Sequence, residues 1–450
     1  MKIKDFLKQL KSGQIILLCM AVLFHLSLLF SASNRSKGNL PLFGAWRRFA
    51  WDTSGWLPRG GDFYAIYESG NQAIRGHPVF RVQPEMNLPE NRIKARMRAP
   101  YVATFRYPPL TAYTLGVVLN LFPPGVSYKL WILFCELLIV LGVYLSFKRA
   151  RDHTSAFWIV LIWLCFYPLH IELYLGQFSF CMGFLIFLCG LALLEKKEQS
   201  AISWWGISLF LKVYSLAFVL YWFFRKRAKK PVLWIAVLLI TTAIYFLIFP
   251  SDFALFYDRA LKGRLFVAQQ TGSVGEAKGP PLYWGSMGVQ RGVLALCRFF
   301  YLQKDSGGIF LTPPWARYIL FLVFLFPFPF IIMAARDKKR SSLNILSLFT
   351  LCWFFWYFDT WEHHYIMLLP LFALVYTEGI IRGWKAFLIY LLLAAPSLWI
   401  FFGVGENHPL YPHHEVSYLV LETLYYTIKP VGVVWLFIHL WREKGKLPQK

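Results

Sequence analysis

Acidic side chains are scarce in this chain. Asp and Glu number 23 against 47 Lys and Arg in 450 residues, and charged residues of both signs make up only 16%. With 57% hydrophobic residues and a mean hydropathy of +0.48, the composition excludes an ordinary soluble domain. Strict apolar–polar alternation is also missing; the apolar runs are continuous, which excludes a transmembrane barrel. There is no P-loop, no dinucleotide-binding glycine run and no His-Glu-x-x-His, and no tandem repeat at solenoid periods. The seven cysteines show no metal-ligand spacing, and all but Cys297 lie in apolar runs, where they read as small buried hydrophobes. No paired acidic motif argues for a metal, and no cofactor is expected. Any chemistry must therefore sit at a membrane.

What remains is a set of apolar runs, many long enough or nearly so to span a bilayer core of roughly 30 Å. The expected fold is all-α and polytopic, a single integral membrane domain over 1–450 with about ten crossings. The net charge of +24 invites a nucleic-acid reading. Its distribution argues against one: Lys148, Arg149 and Arg151, then Arg225–Lys230, then Arg336–Arg340 cluster in short loops, while Tyr174–Gln177 and Thr360–His364 carry no Lys or Arg. This positive-inside bias places both termini in the cytoplasm. Phe30–Ser33 faintly resembles a signal-peptidase site, but the preceding apolar run is long, so an uncleaved anchor is expected.

Two long loops are expected outside, 32–108 and 250–314. In the first, Phe63, Ile66, Tyr67 and Ile74 share a helical face over Asp62–Gly76, which predicts a helix lying on the membrane surface, stopped by Gly76-His77-Pro78. Val82–Ala99 has no periodicity and reads as irregular. The run to Phe122 that opens at Phe105 is too short for a span and reads as interfacial or re-entrant. In the second loop, which holds Asp252, Asp258, Arg259 and Arg264, Val289–Tyr301 reads as a surface helix. Ala201–Phe224 has flanks of cytoplasmic character at both ends, Glu195–Glu198 and Arg225–Lys230, and Lys212 in its middle; one crossing cannot start and end on the same side, so a hairpin of two short helices is predicted, with Lys212 near its deep end.

Several residues stand out chemically. A carboxylate at Asp62, beside aromatics at a membrane surface, can act as general base on a sugar hydroxyl; an Asp after two glycines at a helix start is equally a common N-cap. Lys212 is an ionisable group at membrane depth, where a cavity or a partner such as a lipid phosphate is expected. His363 and His364 can donate to phosphate or stand in a solvated turn. Gln177 and Arg106 are flanked by aromatics and can hydrogen-bond a sugar or phosphate, or anchor the interface. Glu422 and Lys429 share a face of the last span, where an ion pair with other residues is as plausible as a functional role.

The ordered series Asp62-Phe63-Tyr64-Ala65-Ile66-Tyr67 with Gly76-His77-Pro78, Phe105-Arg106-Tyr107-Pro108-Pro109-Leu110, Gly176-Gln177, Leu211-Lys212-Val213-Tyr214 and His364-Tyr365 with Pro370 resembles glycosyltransferase family 87 of the GT-C superfamily. The resemblance runs from about Asp62 to Leu374. It implies transfer of a sugar, usually mannose, from a polyprenyl-phosphate donor to a lipid, glycolipid or glycan acceptor. The site would face outward from the cytoplasmic (inner) membrane, among membrane lipids. It also implies that Asp62 is the base and that Lys212 with His363 or His364, joined by Arg106, binds donor phosphate. Tyr64, Tyr67, Tyr107, Gln177 and Tyr214 would contact sugar or acceptor. Ser179 stands where the family often has Asn, Ser215 follows Tyr214 where Pro is more usual, and Val82–Ala99 is a long insertion. A leaving lipid phosphate needs no acid, so one base suffices and direct displacement inverts the anomeric centre. Two alternatives use the same features: a flippase for a lipid-linked sugar, which needs no base, and transfer of a pentose or a non-sugar group to an envelope acceptor.

Overall fold

The computed structural model describes residues 3–33, 59–257, 287–304, 311–357, 360–395 and 416–443. Asp258, Arg259 and Arg264 fall outside these residues, as do positions 34–58 of the first loop. Among the described residues all regular structure is helical and no strand occurs, so the chain is an all-α membrane protein. Among the described residues six helical stretches are long and apolar enough to cross a bilayer: Ser12–Leu29, Pro124–Lys148, His153–Leu175, Lys229–Ile248, Ala316–Arg336 and Thr423–Arg442. Five shorter apolar helices join them, among them Ser179–Leu194 and Ser342–Trp356. These two are buried along most of their length, so protein rather than lipid surrounds them.

Proline sets the breaks. His153–Leu164 ends at Cys165 and the chain resumes as Pro168–Leu175, with Pro at the helix start where its missing N–H costs nothing. Pro327 likewise divides Ala316–Leu325 from Pro327–Arg336.

The predicted surface helix forms as Gly61–Ile74, but it does not lie with one face free. Ile74 is exposed, whereas Glu68, Ser69, Asn71 and Gln72 are buried with Phe63, Ile66 and Tyr67. The chain that follows folds back over the polar side, and Gly70 meets Gly116 backbone to backbone, where a Cβ on Gly70 would fall 2.1 Å from the Gly116 carbonyl carbon. The Val82–Ala99 insertion is correspondingly ordered, not irregular. It forms two short helices, Pro84–Asn87 and Pro89–Lys94, tied down by polar side chains. The Glu68 carboxylate is fully buried and takes four donors: Asn71 and Gln72 at 2.6 and 2.8 Å, and the amides of Arg98 and Ala99 at 3.0 and 3.2 Å. Such saturation is what makes a buried charge tolerable.

Val289–Tyr301 also forms as predicted but packs against the Val416–Arg442 helix, burying Gln290, Arg291 and Arg298. One face is docked against the bundle, while Leu296 and Phe300 remain exposed. Asp252 is buried too: its carboxylate accepts from the Phe80 amide at 3.1 Å and from the Tyr245 hydroxyl, pinning the Val79–Arg81 turn that leads into the insertion to the Lys229–Ile248 helix.

The hairpin prediction holds. Glu198–Leu211 stops at Lys212, whose backbone is extended, and the chain continues as Val213–Phe218 and Val219–Phe224. Its two feet meet through Arg227 with Glu198 and Lys230 with Gln199. Ser215 secures the break: its carbonyl accepts from Trp205 Nε1 at 2.8 Å and its hydroxyl bonds Ser208 Oγ at 2.7 Å.

Candidate functional site

The site is built where three separate segments meet: the start of Gly61–Ile74, the turn between Leu175 and Ser179, and the break at Lys212. Gly60, in the left-handed region at φ 75°, precedes the first helix, and its amide donates to the Tyr174 carbonyl at 2.7 Å. Gly60 is the N-cap, so Asp62 lies in the first turn and does not cap the helix by its side chain. Its carboxylate instead lies beside the Gln177 side chain, within the electrostatic reach of Arg106 and Lys212.

Gly176 makes the turn possible. It adopts φ 65° and lies so close to the first helix that a Cβ would come within 2.4 Å of Phe63 Cβ. Phe178 is then wedged between Phe63, with parallel rings 6.5 Å apart, and Trp131, 4.0 Å between centroids. This fixes the two polar residues that flank it. Gln177 Oε1 accepts from Tyr107 Oη at 2.8 Å and from Lys212 Nζ at 3.1 Å. Lys212 Nζ also donates to Ser179 Oγ at 2.7 Å and lies 5.7 and 5.3 Å from the Tyr107 and Tyr214 rings. With its oxygen committed to donors, the Gln177 amide has only its N–H groups to offer Asp62.

Burial pushes the Asp62 pKa above the ordinary carboxylate value, against the opposing pull of Arg106, the Gln177 side chain and Lys212. A carboxylate raised in this way is a better proton acceptor than a free one. Arg106 itself is solvent-exposed.

The histidines arrive from the far side, on the Glu362–Met367 turn. The Trp361 amide donates to His364 Nδ1 at 2.8 Å, so the ring proton is on Nε2, which donates to Tyr214 Oη at 3.0 Å. Tyr214 in turn stacks on Trp353, 3.7 Å between centroids. His363 is different. Its ring packs 4.2 Å from that of His364, it is buried, and neither of its nitrogens has a hydrogen-bond partner among the described residues. Burial and the Lys212 ammonium push its pKa well below the usual histidine value, leaving it neutral.

Asp62, Tyr107, Gln177, Lys212, Tyr214, His363 and His364 thus converge, with Arg106 at the edge. Tyr64 and Tyr67 do not join them. On a helix they fall on faces away from Asp62; Tyr64 packs on Tyr101 and Tyr128, and Tyr67 Oη donates to the Phe122 carbonyl at 2.9 Å. One residue escaped the sequence reading. Glu172 is fully buried beside the site, its Oε1 accepting from the Phe180 amide at 2.7 Å. An isolated acid in an apolar run five residues before Gln177 was the signal available. Among the described residues no cluster of His, Cys, Asp and Glu could hold a metal ion.

A helical membrane protein with a buried lysine and an acid beside one amide has the parts of a membrane-embedded transferase. The family model of glycosyltransferase family 87 matches residues 105–358, more than half of the chain, and the chain belongs to that family. It is a glycosyltransferase. No curated protein and no solved structure matches the chain. The matched segment contains Arg106, Tyr107, Gln177, Lys212 and Tyr214; Asp62 and the two histidines lie outside it and are joined to it by the contacts above.

Proposed function

We propose that the protein transfers mannose from a polyprenyl-phosphate donor to a hydroxyl of a lipid or glycolipid acceptor, on the outer side of the cytoplasmic membrane. Asp62 takes the proton of the acceptor hydroxyl. The freed oxygen attacks the anomeric carbon from the face opposite the phosphate, the carbon–oxygen bond to phosphate breaks, and the configuration inverts. Lys212 holds the phosphate and balances the charge that grows on it as it leaves. His363 is the better second phosphate ligand of the pair, because both nitrogens of His364 are already committed.

The observation that carries this reading is the side chain of Gln177, which accepts from the candidate phosphate-binding cation at 3.1 Å and lies beside the candidate base, on which both it and Lys212 act. The testing experiment follows labelled sugar from a polyprenyl-phosphate donor into envelope lipids in purified protein. Asp62→Asn is expected to lower transfer by roughly 10²–10⁴-fold, the range of a general base, with thermal stability retained. Retained transfer in Asp62→Asn removes the base from this role. Retained lipid flipping without transfer in either protein favours a flippase.

A further inference from the structure

Among the described residues the ammonium of Lys212 donates no hydrogen bond to Asp62 or Glu172; its two side-chain acceptors are Gln177 and Ser179. Both stand on one tight turn, and one residue grips both ends of that turn. The Glu172 backbone carbonyl accepts from the Gln177 amide at 3.0 Å. Its side-chain Oε1 accepts from the Phe180 amide at 2.7 Å, and the neighbouring Ser179 amide, at the very start of the Ser179–Leu194 helix, also acts on this carboxylate. Its other oxygen, Oε2, has no hydrogen-bond partner among the described residues.

We propose that Glu172 is a positioning residue that sets the Lys212 cradle by the reach of one carboxyl oxygen rather than by its charge. The amides of Ser179 and Phe180 are orphan donors of a helix N-terminus, and a buried donor left unmet is costly. If that acceptor withdraws, the helix start relaxes, the Ser179 hydroxyl moves with it, and the ammonium loses its shorter bond. The inference rests on the reading that Lys212 holds the donor phosphate.

Two conservative variants separate reach from charge. Glu172→Gln removes the charge and keeps an acceptor oxygen at the same distance. Glu172→Asp keeps the charge and draws the oxygens back by one carbon–carbon bond, about 1.5 Å. The measurement is titration of the full-length protein in detergent with polyprenyl phosphate carrying no sugar, with Lys212→Ala as control. Lys212→Ala is expected to weaken binding by at least about 10-fold, Glu172→Asp by a similar factor, and Glu172→Gln by less than about 3-fold, a tenfold change being about 1.4 kcal/mol.

Normal binding by Glu172→Asp, or equal loss in Glu172→Gln, overturns the inference when the Lys212 variant still binds weakly. Normal binding by Lys212→Ala instead overturns the phosphate reading on which it stands. Should Glu172→Asp also lower the melting temperature, the double variant with Lys212→Ala decides. A positioning effect disappears once the ammonium is gone; an effect that persists in the double variant is a general loss of structure and overturns the inference.

Discussion

Lys429 of the last helix forms a buried ion pair with Glu362, 3.3 Å apart, one residue before His363. The ammonium also donates to the carbonyls of Leu393 and Ala395, at 3.0 and 2.7 Å. The histidine turn is thereby held by the opposite end of the chain. Glu422, seven residues earlier, has a side chain outside the described residues. Removing one member of a buried pair leaves the other uncompensated, at a cost of about 3–5 kcal/mol. Lys429→Met is therefore expected to lower the melting temperature sharply, and Glu362→Gln in the same chain to restore part of it. Thermal unfolding in detergent checks this; equal loss in single and double variants counts against the pair.

Arg106 is the strongest of the groups that hold the raised Asp62 pKa down. A base works deprotonated, so the rate rises as pH climbs through that pKa. In Arg106→Ala the pKa rises further and the acidic limb of kcat/KM moves to higher pH. A limb that stays in place, or moves to lower pH, shows that Arg106 does not act on Asp62.

Gly176 combines a left-handed backbone with Phe63 directly over its α-carbon. Gly176→Ala must meet both, and the backbone strain alone costs about 1–2 kcal/mol. The expected outcome is loss of transfer together with lower stability, read by the labelled-sugar assay and by unfolding. A variant with wild-type activity shows that the turn has other conformations open to it.

Asp252 ties the Phe80 amide and Tyr245 together. Asp252→Ala leaves a buried amide unmet, costing about 1–3 kcal/mol. Limited proteolysis should then cut within 79–105 faster than in the wild type, and unchanged cleavage refutes the anchoring role.

Much of the fold was legible because lipid imposes simple rules. Uninterrupted apolar length marked the helices, and a cation between two flanks of cytoplasmic character betrayed the break at Lys212. Glycine and proline marked the end of Gly61–Ile74. The misreadings share a cause: polar side chains whose partners lie far along the chain. Glu68 binds the amides of Arg98 and Ala99, some 30 residues on, and that one carboxylate orders an insertion whose own sequence has no pattern. Tyr64 and Tyr67 belong to the same motif as Asp62, but a motif read as a string conceals which helical face each residue takes. Glu172 was passed over because its role depends on amides that become orphaned only once the next helix forms.

The clasped feet of the hairpin have a mechanical consequence. Glu198–Leu211 is 14 residues long, so Lys212 stands about 20 Å from the contact between Arg227 and Glu198. The hairpin is thus a lever with its charge at the tip. Pivoting it by about five degrees at the base carries the ammonium roughly 2 Å, enough to break its hold on Gln177 and Ser179. Surface residues remote from the reaction accordingly have a means of setting how firmly the cation is held.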